Sequence, residues 1–130
     1  MLKVEHIYKE LGDFKLNDIS FEVKEKEYFV ILGPTGTGKT IILEAIAGIH
    51  NLDHGNIYIK NKNINNVPPE HRNIGFVYQD YLLFPHLSVR DNINFGLKAK
   101  KKFIDTSEKL LHEISKMLNI DHLLNRNTLT

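Results

Sequence analysis

Alternating apolar and polar residues mark two segments at the start of the chain as β-strands. Residues 14–23 alternate with Ile19, Phe21 and Val23 on one face, and residues 2–7 alternate as well. The faces predicted for the first segment are Leu2, Val4 and His6 on one side and Lys3, Glu5 and Ile7 on the other. A Gly-Asp pair between the segments favours a turn. The pattern therefore predicts two antiparallel strands with one solvated face.

Continuous apolar runs predict buried strands further along the chain. Residues 28–32 form one such run, which ends at a glycine, and residues 73–78 form a second. Short runs of this kind are typical of buried strands, whereas the longer apolar segment at residues 41–49 favours a helix that a glycine near its end would terminate. Residues 56–60 predict one more short strand.

The last third of the sequence predicts only helices. Ser88 and Asp91 fit a capping box, so we expect a helix from about Val89 to Leu97. A second helix is expected to follow it. The apolar positions of that second helix predict a stripe that faces a core, consisting of Leu110, Leu111, Ile114, Met117 and Leu118. Residues 125–130 are polar, which indicates an irregular end.

The bulk composition narrows the functional classes without choosing one. The 130 residues carry a net charge of +1 and 42% hydrophobic residues, so we expect one domain with a core and no nucleic-acid partner. The sequence has no cysteine, which excludes disulfides, thiolate metal sites and a cysteine nucleophile. No signal peptide is recognisable, and no run reaches the ~18 apolar residues of a membrane span. Any work at a membrane is therefore expected to go through a partner.

The strongest chemical signal is the pattern G-x-x-x-x-G-K-[ST], which lies between a predicted strand and a predicted helix. Its residues are Gly33, Pro34, Thr35, Gly36, Thr37, Gly38, Lys39 and Thr40. The glycines let backbone N–H groups curl around phosphate oxygens, and the following helix directs its N-terminus at the same anion. Lys39 is expected to reach the β- and γ-phosphates, and the Thr40 hydroxyl is expected to bind Mg²⁺. The pattern predicts a phosphate-binding loop.

Three classes of phosphate-loop protein compete for this sequence. A GTPase would carry Asn-Lys-x-Asp, but Ile64 stands where the aspartate belongs, so we reject that class. A small nucleotide kinase would gather arginines for phosphoryl transfer, and the arginines here are widely spread: Arg72, Arg90 and Arg126. That class stays open as a poor fit. The third class is indicated by a resemblance.

The resemblance rests on a series of motifs in a fixed order. The pieces are Asp18-Ile19-Ser20-Phe21, Gly33 to Thr40, Ala45-Ile46-Ala47-Gly48-Ile49, Asp53-His54-Gly55-Asn56-Ile57, Pro68-Pro69-Glu70-His71-Arg72-Asn73-Ile74-Gly75-Phe76-Val77-Tyr78-Gln79 and Leu83-Phe84-Pro85-His86-Leu87-Ser88-Val89. From Val4 to Leu124 the chain resembles the first half of an ABC transporter ATPase subunit, and it is most similar to importer ATPases of the molybdate/tungstate group. This implies an α/β fold: a P-loop NTPase core with an antiparallel β subdomain in about residues 1–80, and the start of a helical subdomain in about residues 81–130.

The same resemblance implies cofactors, partners and site residues. ATP and Mg²⁺ would be the cofactors, and Gln79 would be the Q-loop residue near Mg²⁺ and the attacking water. Residues Tyr81 to His86 would contact the transmembrane permease subunits, and a second ATP-binding subunit would complete a dimer. The family stacks adenine on an aromatic residue before the second strand. By spacing that position is Leu11, and Tyr8 is the nearest aromatic residue upstream.

The later motifs of the family are missing from this sequence. The Leu-Ser-Gly-Gly-Gln/Glu signature, the Walker B aspartate, the catalytic glutamate and the switch histidine have no counterpart, and Leu129-Thr130 stands about where the signature would open. We therefore expect a nucleotide-binding domain truncated before the signature, with no catalytic residue of its own, so ATPase activity is implied only by the family.

Two interpretations of the function remain. One is the ATP-binding subunit of an ABC importer for an oxyanion such as molybdate or tungstate, cytoplasmic and peripheral on the inner face of the cell membrane. The other is a truncated, non-hydrolysing nucleotide-binding or partner-docking remnant of such a subunit.

Overall fold

The structure is a computed structural model that describes residues 1–80, 82–99 and 105–128. It contains two compact units, Met1–Phe76 and Val77–Thr130. The first unit holds a β-sheet and one α-helix, and the second is helical. Among the described residues, no helix has the length and apolarity that crossing a membrane requires.

The first unit is built on a four-stranded antiparallel sheet with the strand order β2-β1-β3-β4. The strands are β1 (Leu2–Leu11), β2 (Phe14–Val23), β3 (His54–Ile59) and β4 (Lys62–Asn63). The β1–β2 hairpin pairs Leu11 with Phe14 at its tip and Leu2 with Val23 at its open end. The two antiparallel strands predicted from alternation are confirmed, as is the Gly-Asp turn between them.

The β1–β2 hairpin contains β-bulges, and these change which side chains of β1 point into the core. His6 and Asp18 have positive φ angles of 47° and 53°, and the strand register shifts on both sides of Ile7. The Nδ1 atom of His6 lies 2.6 Å from Oδ1 of Asp18. Because such bulges reset the alternation, Val4 and Ile7 are both buried. The prediction that Ile7 lies opposite Val4 is wrong, and His6 is exposed.

The helix α1 (Lys39–Ala47) packs on this sheet and confirms the helix predicted after the phosphate-binding pattern. The buried apolar core comprises Val4, Ile7, Leu16, Ile42, Ala45, Ile46, Ile57 and Ile64. Gly48 ends the helix at φ 89°, and its N–H donates to the Ala45 carbonyl at 3.1 Å. A left-handed glycine is a common way to end a helix because it carries no Cβ to clash.

A buried arginine closes the same end of α1. Arg72 is 7% exposed, and its guanidinium donates to the carbonyls of Ala45 and Ile46, each at 2.9 Å. It also donates to the carbonyls of Val67 at 2.7 Å and Asn65 at 3.2 Å. A Cβ at Gly48 would lie 2.6 Å from Nε of Arg72. Both the left-handed φ angle and this close contact therefore favour glycine at position 48. Burial lowers the pKa of Arg72 below its usual range.

Two apolar runs predicted as buried strands do not form strands. In the described part of the chain neither residues 28–32 nor residues 73–78 form a strand, and Leu32 and Val77 are 87% and 95% exposed. Ile31 packs against the core, so only one side of the first run is covered. Both strand predictions are wrong, because an apolar run by itself does not specify the hydrogen-bonded ladder with a neighbouring strand that defines a strand.

The second unit consists of α2 (Val89–Ala99), α3 (Asp105–Met117) and a short 3₁₀ turn, Asp121–Leu123. The predicted cap at Ser88 is confirmed in one of its two bonds: the Asp91 N–H donates to Oγ of Ser88 at 3.1 Å. The Asp91 carboxylate accepts from that hydroxyl at 2.8 Å, where a full capping box would use the Ser88 backbone N–H. Residues 125–128 form turns and one isolated bridge between Asn127 and Ser88, so the predicted irregular end is confirmed for this part, and hydrogen bonds hold it against the start of α2. The N–H of Val89 donates to the Arg126 carbonyl at 2.9 Å. Residues 129 and 130, and with them the expected opening of a signature motif, lie outside the described part of the chain.

The predicted core-facing stripe of α3 is mostly solvent-exposed. Leu111 is buried, but Met117 is 78% exposed and the other three members are exposed as well. The apolar period of the helix is as expected, but the described part of this unit offers too few neighbouring elements to cover it. One buried polar group also stands out among the described residues, because Nδ2 of Asn94 in α2 has no hydrogen-bond partner.

Candidate functional site

The phosphate-binding pattern forms a tight loop that leads into α1. Gly36 and Gly38 have φ angles of 82° and 86°, a left-handed conformation that only glycine adopts easily. Gly38 is the N-cap of α1, and its carbonyl accepts the Ile42 N–H at 3.0 Å. The loop therefore delivers the chain directly to a helix N-terminus, where unpaired N–H groups are available to an anion.

Lys39 folds back over the loop that precedes it. Its Nζ donates to the carbonyls of Gly33 at 2.7 Å and Pro34 at 2.5 Å, with Oγ1 of Thr37 at 3.4 Å. Thr37 in turn donates to the Pro34 carbonyl at 2.8 Å. All of these partners are neutral oxygens, so within the described residues no carboxylate neutralises the ammonium. A positive charge is thus held at the loop and remains available to an anion.

The start of α1 adds to this positive field. The first turn of the helix carries no acidic side chain, so nothing on the helix itself opposes its positive end. Thr40, the second residue of the helix, is exposed. Its hydroxyl is a hard oxygen ligand that suits Mg²⁺, which is usually bound by a few protein oxygens together with substrate phosphates. No group of three potential metal-ligating acids or histidines occurs among the described residues.

An apolar cavity of 420 Å³ adjoins the loop. Its lining residues are Ile19, Phe21, Phe29, Val30, Ile31, Leu32, Gly33, Pro34, Thr37, Lys39 and Ile42. None of these residues is acidic, so the walls offer no side chain that could act as a general base. A slightly larger cavity of 480 Å³ lies at the opposite end of α1, beside Gly48 and Arg72. The 420 Å³ cavity is the one next to the phosphate-binding motif, because Lys39 is among its lining residues.

The other residues expected to contact the nucleotide lie in different elements of the chain. Leu11 is exposed at the tip of the β1–β2 hairpin. The Tyr8 ring makes an edge-to-face contact with His54, with ring centroids 6.2 Å apart. Gln79 is exposed and belongs to the second unit. The structure brings residues 33–40 together, while the roles of the other three residues stay predictions.

The loop expected to dock on a permease is apolar and exposed where the structure describes it. Leu82 is 69% exposed, and Leu83 and Phe84 are exposed as well. The Phe84 ring packs against Phe95 of α2 at 4.2 Å between centroids. Its backbone N–H donates to Oδ1 of Asn92 at 2.8 Å. The loop is thus anchored at one residue while its leucines face solvent. Tyr81, the first residue of the predicted loop, lies outside the described residues.

One residue that contacts the phosphate loop was not predicted from the sequence. Phe14 is half-buried, and a Cβ built on Gly38 would lie 1.9 Å from Cζ of its ring. The end of the aromatic ring therefore packs directly on the Cα of Gly38. The signal in the sequence was an aromatic residue immediately after the turn of a predicted hairpin, but nothing in the pattern indicated which glycine it would meet.

Comparison with known proteins gives this arrangement a context. A family model described as ABC transporter matches residues 16–129. The molybdate/tungstate import ATP-binding protein WtpC of Pyrococcus abyssi is 50% identical over 97% of this chain and 37% of its own length. WtpC of Methanocaldococcus jannaschii is 47% identical over 100% of this chain and 43% of its own length.

Among solved structures, the dimeric ATP-binding cassette MJ0796, bound to ADP and Pi in a post-hydrolysis state, superposes on this chain with a TM-score of 0.81. It is 26% identical, and the match covers 98% of this chain and 62% of that one. The chain therefore spans less than half the length of these curated relatives.

Proposed function

Because this chain belongs to the ABC transporter family, we propose that it supplies the nucleotide-binding part of an importer ATPase. Nucleotide phosphates would bind the backbone of residues 33–40 and the ammonium of Lys39. The Thr40 hydroxyl and the Gln79 amide would contact the accompanying Mg²⁺. The α/β fold with an antiparallel sheet agrees with that of the solved ATP-binding cassettes.

One observation carries this proposal. The loop places two left-handed glycines, a lysine bound only to neutral oxygens and a helix N-terminus free of acidic side chains at one point of the first unit. Each of these features favours a phosphate, and together they favour a polyphosphate.

The transported ion in this proposal is molybdate or tungstate. The support is the molybdate/tungstate import function of the WtpC relatives, which are 50% and 47% identical to this chain. The oxyanion is cargo in such a system and would not contact the phosphate loop.

The direct test is equilibrium binding of Mg-ATP to the purified chain by calorimetry. Lys39→Ala should weaken binding about tenfold or more, because a hydrogen bond to a charged group contributes about 1.5–3 kcal/mol. Lys62→Ala, at the exposed edge strand β4, is the matched control and should leave the affinity unchanged. Equal affinities of the Lys39→Ala variant and the wild type would contradict the proposal.

A second function is favoured by the chemistry of the cavity walls. Since no acidic residue lines the cavity beside the loop, this chain would bind Mg-ATP without hydrolysing it. A phosphate-release assay on the same samples separates the two functions. Turnover that Lys39→Ala abolishes supports an ATPase, whereas binding without turnover supports a non-hydrolysing nucleotide-binding chain.

Partners follow from the second unit in this proposal. The exposed leucines at positions 82 and 83 would dock on a transmembrane permease subunit and hold the protein on the inner face of the membrane. Exposed apolar residues grouped in one loop are a common feature of interaction sites. A second ATP-binding subunit would complete the dimer. Leu83→Ser should reduce co-purification with membranes that contain the permease, and unchanged recovery would count against this docking loop.

A further inference from the structure

The amide side chain of Asn92 binds both backbone groups of Phe84, as a neighbouring strand would. Its Oδ1 accepts the Phe84 N–H at 2.8 Å, and its Nδ2 donates to the Phe84 carbonyl at 3.1 Å. We propose that Asn92 is a positioning residue, which holds the docking loop at residues 82–86 in its binding conformation before a partner arrives. This inference rests on the docking role in the proposed function and extends it to a residue outside the loop.

Asn92 is itself held in place, because it belongs to the start of α2. Its backbone N–H donates to the Ser88 carbonyl at 2.9 Å, as the helix requires, and its Nδ2 donates to the same carbonyl at 3.0 Å. The Nδ2 atom also lies 3.4 Å from the Leu87 carbonyl. One side chain on a regular helix therefore spans the chain from Phe84 to Ser88, and it fixes the end of the loop to α2.

A second side chain converges on the same carbonyl groups. Oγ1 of Thr128 donates to the Phe84 carbonyl at 3.2 Å and lies 3.4 Å from the Leu87 carbonyl. The Leu87 N–H donates to the Phe84 carbonyl as well, at 3.1 Å. Among the described residues, however, Asn92 is the side chain that binds both the N–H and the carbonyl of Phe84. Its loss should therefore affect the loop more than the loss of Thr128.

This anchor leaves the apolar tip of the loop exposed. Leu82 and Leu83 are 69% and 55% exposed, while the Phe84 ring packs on Phe95 of α2. Fixing Phe84 by both its backbone and its ring limits the positions that the two leucines can take. A partner that binds a loop already held in one conformation does not have to offset the entropy of ordering it. All of these contacts lie within the second unit, so the anchor should act independently of nucleotide binding.

Asn92→Asp is the decisive variant, because it removes the donor and keeps the shape of the side chain. The carboxylate can still accept the Phe84 N–H, but it places a second acceptor against the Phe84 and Ser88 carbonyls. An acidic residue near the N-terminus of a helix is favourable, so α2 should remain folded. Asn119→Asp makes the same chemical change at an exposed residue after α3 and is the matched control. Asn92→Ala, which removes the anchor without adding a charge, is the second variant.

The experiment measures sedimentation of the full chain with inside-out membrane vesicles from its native cells, against protein-free liposomes of the same lipids. Asn92→Asp and Asn92→Ala should bind the vesicles about tenfold more weakly than wild type, because the loop must then be ordered on docking. Asn119→Asp should bind as wild type does. The Mg-ATP affinity and the thermal unfolding midpoint should stay unchanged in Asn92→Asp. Amide hydrogen exchange at Leu87 should become faster, because its N–H is bonded to the Phe84 carbonyl.

The outcomes separate this inference from the function on which it rests. If both Asn92 variants bind the vesicles as tightly as wild type, the role of Asn92 is overturned and the docking loop stands. If wild type binds the vesicles no better than the liposomes, the docking part of the proposed function fails and this inference fails with it, whereas Mg-ATP binding would still support the nucleotide site. An equal loss of vesicle and Mg-ATP binding would also overturn the inference, because Asn92 would then support the fold of the whole chain.

Discussion

Strand β2 and residues 28–32 are close neighbours along the chain, but only β2 forms backbone hydrogen bonds with another strand. β2 is hydrogen-bonded along its length to β1, whereas residues 28–32 pair with no described strand. Apolar contacts do not explain the difference, because Phe29 stacks on Phe21 of β2 and Ile31 touches the core. The two segments differ in whether a backbone partner lies within reach.

The comparison shows that burial and pairing are separate requirements for a strand. An antiparallel partner can be supplied by a tight turn, and the β1–β2 hairpin supplies one across Gly12 and Asp13. A parallel partner needs a crossover of a dozen or more residues. Within the described residues, the apolar run before the phosphate loop therefore has one covered side and no paired edge, and unpaired apolar edges are a known route to association.

The largest effect should come from a buried residue of the paired region. Ile7 of β1 is 0% exposed, so Ile7→Ala removes buried methyl groups and leaves a cavity. We expect a loss of about 2–5 kcal/mol in the free energy of unfolding. Leu32→Ala, in the unpaired run, should change it by no more than about 0.5 kcal/mol. Urea denaturation followed by circular dichroism measures both.

Two further results would sharpen or break that comparison. If Ile7→Ala does not fold, Ile7→Val provides a milder variant with an expected loss of about 0.5–1.5 kcal/mol. A loss from Leu32→Ala as large as that from Ile7→Ala would mean that Leu32 is buried in solution and that residues 28–32 contribute to stability as much as β1 does.

The next effect concerns the end of α1 that faces away from the phosphate loop. Arg72→Ala removes the donors to the Ala45 and Ile46 carbonyls. Leaving buried carbonyls unsatisfied costs about 1–3 kcal/mol, so we expect a loss of about that size in unfolding free energy. Arg90→Ala, which breaks the partly exposed pair with Glu108, should cost less than about 1 kcal/mol. Equal losses would show that Arg72 acts as an ordinary surface arginine.

The smallest effect is a pH dependence at the junction of β1 and β3. The Asp53 carboxylate accepts hydrogen bonds from Nζ of Lys9 at 2.9 Å and from the N–H of Glu10 at 2.7 Å. These two hydrogen bonds lower the pKa of Asp53 below its usual range, and the bond from Lys9 has the larger effect. A lowered folded-state pKa stabilises the protein above the unfolded pKa of about 3.9, and this contribution is lost as the pH falls through the folded value.

Replacing Asp53 should therefore flatten the acid limb of the stability curve. With Asp53→Asn, the urea midpoint should fall less steeply below about pH 4 than it does in wild type. Lys9→Met should reproduce much of this change, because Lys9 is the largest cause of the shift. An acid limb with the same slope in all three proteins would show that the Asp53 contacts do not contribute in solution.

The site shows the same division between local and distant information. Residues 33–40 were predicted as one unit, since a glycine-rich loop and the helix after it are defined by neighbouring residues. The packing of Phe14 on Gly38 was not predicted, because the two residues meet only after the hairpin and α1 fold against each other. The face occupied by Ile7 was predicted wrongly for a related reason. The bulge at His6 involves a contact with Asp18 in the next strand, and the alternation of apolar and polar residues within one strand cannot predict such a contact.

The sequence by itself determined the hairpin, the helices, the helix cap at Ser88 and the phosphate-binding loop, because each depends on residues within a few positions of one another. Only the tertiary structure decided which apolar runs become strands, which face of α3 is covered, and how Arg72 closes the end of α1. These outcomes depend on partners that lie far apart in the chain. An apolar side chain can be buried by any neighbour, but a backbone hydrogen bond or a buried guanidinium needs a specific atom at a specific distance.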